Sequence, residues 1–99
     1  MKIAIDVCVS WRCELELWRA GFEIPVRAAP GEPDEAWLRR ALALGCQLIV
    51  TMDIGAAQEA ARMGMRAVRL QNQPGSTMER VLKGIEAALS LRHVQVVRK

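Results

Sequence analysis

Short apolar runs alternate with helically spaced apolar positions along the whole chain. Lys2 to Val7 carries Ile3, Ala4 and Ile5 together and reads as a buried strand. Ser10 then offers an N-cap. Trp11, Leu15 and Trp18 follow at helical spacing, and Arg12, Glu16 and Arg19 mark the wet side. Gly21 stops this helix. Phe22 to Ala28 is a second strand, placed at an edge by Pro25. After the loop from Ala29 to Pro33, Asp34 is positioned to cap a second helix bearing Trp37, Leu38, Ala41, Leu42 and Leu44, which Gly45 ends. Cys46 to Thr51 is a third strand, and its consecutive Leu48, Ile49 and Val50 suit cover on both faces. An Ala-rich helix runs from about Ile54 to Met63 and stops at Gly64. Met65 to Leu70 is a fourth strand, where Arg66 and Arg69 suggest an edge. Beyond the loop Gln71–Gly75, Ser76 and Glu79 form a capping box for a fourth helix that buries Met78, Val81, Leu82, Ile85 and Leu89. His93 to Arg98 reads as a fifth strand of uncertain placement.

This order predicts an α/β fold of three layers, α/β/α, with a mainly parallel sheet of strand order 2-1-3-4 plus the fifth strand. The 99 residues suit one domain covering 1–99. No apolar run is long enough to span a membrane, and the opening residues lack the features of a secretion signal. Cys8, Cys13 and Cys46 have neither zinc nor disulfide-framework spacing, which suits a reducing cytoplasm and a role as small apolar fillers.

The formal net charge is +3. Residues 1–50 hold 6 basic and 7 acidic groups, and residues 51–99 hold 8 basic and 4 acidic. The basic second half permits nucleic-acid binding without requiring it. Arg39 and Arg40 on the second helix could flank an RNA path, although solvated charge is the plainer reading. The three tryptophans sit at helical core spacing, which argues against a base-stacking platform. The exposed strand edges and the apolar excess could equally serve a homodimer contact.

In open α/β sheets, ligands bind beyond the carboxyl ends of the strands where the winding reverses. With order 2-1-3-4, Asp6 and Asp53 face one crevice, and Asp34 or Glu35 can lean in. Two carboxylates about 5 Å apart repel by roughly 3 kcal/mol at an effective dielectric near 20. Such a cluster calls for a cation, and hard oxygen ligands suit Mg²⁺ or Mn²⁺. A metal there could activate water against a phosphodiester. Thr51 could donate to Asp53 or to a phosphate oxygen. Each acid also has a plainer reading, since Asp34 and Asp53 both precede helices and can cap them.

Several segments resemble small prokaryotic PIN-like proteins. They are Lys2-Ile3-Ala4-Ile5-Asp6, Ala20-Gly21-Phe22-Glu23, Pro33-Asp34-Glu35 and Gly45 through Asp53, in matching order over roughly residues 1–70. The resemblance implies a metal-dependent ribonuclease, often the toxin of a toxin–antitoxin pair, with Mg²⁺ or Mn²⁺ held by acids at the carboxyl edge of the sheet. It implies an RNA substrate and an antitoxin-like protein partner. Asp6, Asp34 and Asp53 match the acidic positions, with Glu35 as a substitute for Asp34. The departures are specific. Val7-Cys8 stands where the family carries Glu-Asn, and Gly55 stands where it carries a second Asp. A degenerate PIN-like module acting by protein or RNA contact is therefore the alternative. A second alternative is a receiver-like domain with Asp53 as phosphoacceptor, since Val50-Thr51-Met52-Asp53-Ile54 resembles that strand.

Overall fold

The computed structural model describes residues 1–71, Lys83, Ile85 and Gln95–Arg98. Its elements are β1 (Lys2–Ile5), α1 (Trp11–Arg19), β2 (Glu23–Arg27), α2 (Asp34–Ala43), β3 (Leu48–Thr51), α3 (Ile54–Arg62), β4 (Arg66–Gln71) and β5 (Gln95–Arg98). The strands form one sheet of order β2-β1-β3-β4-β5, with every pair parallel. The expected 2-1-3-4 order thus holds, and β5 extends it. The capping box at Ser76 and Glu79 and most of the fourth helix lie outside the described residues. Lys83 and Ile85 of that stretch are helical, and Ile85 is buried.

The two faces of the sheet hold separate cores. One gathers Ile3, Ile5, Leu48, Val50, Val68 and Leu70 against Cys13 and Leu17 of α1 and against Ile85. The other gathers Ala4, Val26, Ile49 and Ala67 against Trp37, Leu38 and Ala41 of α2 and Ala56, Ala57 and Ala60 of α3. Alternation along β1 and β3 divides the side chains between the faces. The alanine face of α3 lets that helix lie close to the strands, as its composition predicts.

Local signals explain the element ends. The Ser10 hydroxyl accepts from the Cys13 amide at 3.2 Å and caps α1. Gly21 and Gly45 follow α1 and α2 with φ of +99° and +79°, values that L side chains rarely adopt. Pro25 lies in the edge strand β2, beside a register shift between Lys2 and Ala4 in the pairing with β1.

Three expectations are corrected. First, β4 is an interior strand, because β5 pairs along its outer side. Arg66 and Arg69 are only partly buried there, and Arg69 Nε donates to the Met52 carbonyl at 3.5 Å. Second, the Trp11, Leu15 and Trp18 stripe is not the buried face of α1. Trp11 and Trp18 are each 65% exposed, and the sheet is met by Cys13 and Leu17. Third, Leu42 and Leu44 are exposed, leaving Trp37, Leu38 and Ala41 as the buried face of α2. No helix among the described residues is long and apolar enough to cross a membrane.

Candidate functional site

The carboxyl ends of β1 and β3 lie side by side, with Ile5 in register with Val50. Asp6 continues this ladder by donating its amide to the Val50 carbonyl at 3.0 Å. Its side chain is nearly buried, at 6% exposure. A carboxylate in that position needs donors. It finds two: the Val7 amide donates to Oδ1 at 2.7 Å, and the Thr51 hydroxyl donates to Oδ2 at 2.6 Å. Thr51 is fully buried at the end of β3, and its Oγ1 also accepts from the Asp53 amide at 3.0 Å. Thr51 therefore joins the two strand ends. The sequence suggested that its hydroxyl donates to Asp53, but it donates to Asp6 and meets only the backbone of Asp53.

The Asp53 carboxylate is turned along α3. Its Oδ1 accepts from the Gly55 amide and its Oδ2 from the Ala56 amide, each at 3.2 Å. This is an N-cap, placing negative charge on the positive end of the helix. Gly55 makes room for it. A Cβ at that position would lie 3.3 Å from Asp53 Oδ2, closer than ordinary van der Waals contact.

Asp34 does not cap α2. Pro33 occupies the cap position without a side-chain hydrogen bond, and Asp34 Oδ1 accepts from Trp37 Nε1 at 3.1 Å within the first turn. Anchoring the buried indole orients Asp34 along its own helix. Glu35 forms an ion pair with Arg39, and Arg40 forms one with Glu32 while donating to the Arg27 carbonyl at 3.2 Å. Glu32 also accepts from the Ala29 amide at 2.9 Å, and this bond, with a lesser contribution from Arg40, outweighs partial burial and holds its carboxyl below the usual range. Arg39 and Arg40 are thus partnered by acids of their own loop and helix.

The structure brings Asp6 and Thr51 together directly and links Asp53 to them through its backbone. It does not gather Asp34 or Glu35 with them. Among the described residues, no group of three or more His, Cys, Asp or Glu side chains could hold a metal ion.

The expectation that Cys8 is a small apolar filler is corrected. Cys8 is exposed in the turn after β1, where its Sγ accepts from the Met52 amide at 3.4 Å and lies 4.0 Å from Thr51 Oγ1. Its place between a strand end and the Ser10 cap was the available signal. Cys13 and Cys46 are buried fillers as expected, and burial pushes the Cys46 thiol up against a smaller opposing effect of Lys2. Val7 and Ile54 add apolar surface to the same rim, each 41% exposed. In comparisons with known proteins, no family model, curated protein or solved structure matches the chain.

Proposed function

We propose that this chain is a PIN-like α/β module that acts by contact with a protein and does not cleave RNA with a divalent ion. The observation that carries this reading is the separate engagement of its four candidate acids. Asp6 is held by Val7 and Thr51, Asp53 by the start of α3, Asp34 by Trp37 and Glu35 by Arg39. Asp34, Glu35 and Asp53 each serve their own segment, and Asp6 ties the end of β1 to Thr51 of β3. The rim positions where polar family residues are expected carry Val7, Cys8 and Gly55 instead. The ion pairs of Arg39 and Arg40 weaken the case for an RNA path along α2. The exposed Val7 and Ile54 fit protein contact better than a hydrated phosphate site.

Thermal unfolding with and without excess Mn²⁺ tests the reading. A resident ion at about 100 times its Kd would add roughly 2.7 kcal/mol, a shift of several degrees for a domain of this size. The expected result is no Mn²⁺-dependent shift and no RNA cleavage. A shift abolished by Asp6→Asn, together with Mn²⁺-dependent cleavage, would reinstate the ribonuclease reading with Asp6 and Asp53 as ligands. A beryllofluoride shift lost in Asp53→Asn would instead point to the receiver-like reading.

A further inference from the structure

The exposed aromatic face of α1 lies away from the acidic rim and has no role in the reading above. Trp11, Leu15 and Trp18 recur at i, i+4 and i+7, the spacing of a helix–helix seam. Two indoles left 65% open present on the order of 300 Å² of surface between them. Between this stripe and the edge strand β2 runs a groove of about 360 Å³ lined by Trp11, Glu14, Leu15, Trp18 and Ile24. A second hollow continues past Trp18 along Phe22, Glu23 and Pro25. Projecting indoles and the groove that could receive them therefore occupy one patch, which is the requirement for a self-complementary two-fold contact. The partly buried Leu15, Phe22 and Ile24 extend this apolar patch beyond the two indoles.

The charges around the stripe are also sorted. At about 100° per residue, Arg12 and Arg19 fall roughly 80–100° to one side of Trp11, and Glu14 falls about 60° to the other. Glu14 lines the groove and Glu23 the second hollow on the β2 side, and Arg12 and Arg19 line neither. Partial compensation exists on each flank, from Glu16 to Arg19 at 3.6 Å and from Arg27 to Glu14 at 2.8 Å. The net asymmetry remains one cation on the helix flank and one anion on the strand flank. A two-fold axis running along α1 sets each flank against the opposite flank of the second copy. An axis across α1 would set Arg12 against Arg19 and acid against acid. Strand addition at β2 is opposed by Pro25 and the register shift beside it.

From these observations we infer that the α1–β2 face is a homodimer interface, with the two α1 helices side by side and parallel about a two-fold axis. Trp18 and Trp11 are its anchors, and the Arg12/Arg19 flank meets the Glu14/Glu23 flank of the other copy.

Sedimentation equilibrium of the full chain up to about 100 µM tests this. The wild type is expected to be a dimer. Trp18→Glu should weaken it at least about 30-fold, because a charge replaces an interface anchor. Its circular dichroism should stay unchanged, since that side chain lies largely outside the core. Arg19→Glu is the orientation test. It should weaken the parallel dimer about 3- to 10-fold, whereas an antiparallel dimer would tighten. A monomeric wild type, a dimer indifferent to Trp18→Glu, or tightening by Arg19→Glu would each overturn the inference. A monomer that instead binds single-stranded RNA, with quenching of tryptophan fluorescence lost in Trp18→Glu, would also overturn it and assign the face to base stacking. None of these results depends on the Mn²⁺ measurement, so the two readings fail separately.

Discussion

Trp37 on α2 is wholly buried, whereas Trp11 and Trp18 on α1 stay 65% exposed, although all three lie in amphipathic helices packed on the same sheet. The cause is in the partner positions. Around Trp37 the helix offers one apolar face, continued by Leu38 and Ala41, so burial has a single solution. Helix α1 offers two. Cys13 and Leu17 form one narrow stripe and Trp11, Leu15 and Trp18 a wider one on the opposite side. The turn from Asp6 to the Ser10 cap, closed by the Val9 amide on the Asp6 carbonyl at 3.1 Å, sets the rotation of α1 and directs the narrower stripe to the sheet. The larger apolar face is consequently left outward. Side-chain size alone does not decide which stripe becomes core; the entry of the chain into the helix does.

The strongest contrast between the two helices is energetic. Trp37→Ala should lower stability by about 3–5 kcal/mol through the cavity it opens and the unpaired Asp34 it leaves. Trp18→Ala should change the stability of the monomer by less than about 0.5 kcal/mol, with both measured by urea unfolding under dilute conditions. Equal losses would mean that α1 packs by its aromatic face after all.

At the carboxyl rim, Thr51→Val should cost about 1.5–3 kcal/mol, because it leaves a nearly buried carboxylate short of a donor and strands the Asp53 amide. Thr51→Ser should restore most of it, which separates the hydroxyl from the methyl group in the same unfolding assay.

A smaller difference is expected between the two helix starts. Asp53→Ala should cost about 1 kcal/mol as a lost cap, and Asp53→Asn much less. Asp34→Ala removes only an indole hydrogen bond, so it should cost less than the cap does. The reverse ranking in thermal unfolding would mean that Asp34 is the true cap.

The smallest effect concerns pH. Glu32 is held below its usual range by the Ala29 amide and Arg40, so its folded pKa lies beneath its unfolded one. Its stabilisation is present above the ordinary carboxyl value of 4.5 and is lost as pH falls through the depressed value. Glu32→Gln should therefore flatten that part of the stability–pH curve and leave neutral pH less affected than the buried substitutions do. An unchanged curve would place the acid sensitivity elsewhere.

Much of the architecture was legible because its signals are local. Ser10 announced its cap, Gly21 and Gly45 their helix ends, and Pro25 the edge strand. Leu48-Ile49-Val50 announced a strand covered on both sides, and the alternation of elements fixed a parallel sheet. The interior position of β4 was not legible, since Arg66 and Arg69 read as edge guards when side chains are judged by charge alone. The candidate acids were legible as residues but not as a site. Convergence of strand ends was foreseeable from topology, but the direction each Asp carboxylate turns is set by donors one to three residues away and, for Asp6, by Thr51 as well. Val7, Ala56 and Trp37 supplied those donors, and no periodicity marks them as such.

The Thr51 hydroxyl carries a single hydrogen, and that hydrogen is committed to Asp6, so the oxygen can only receive the Asp53 amide. Two turns separated by 45 residues are thereby geared to one pivot. Moving either turn outward would break one of the two hydrogen bonds that Thr51 makes.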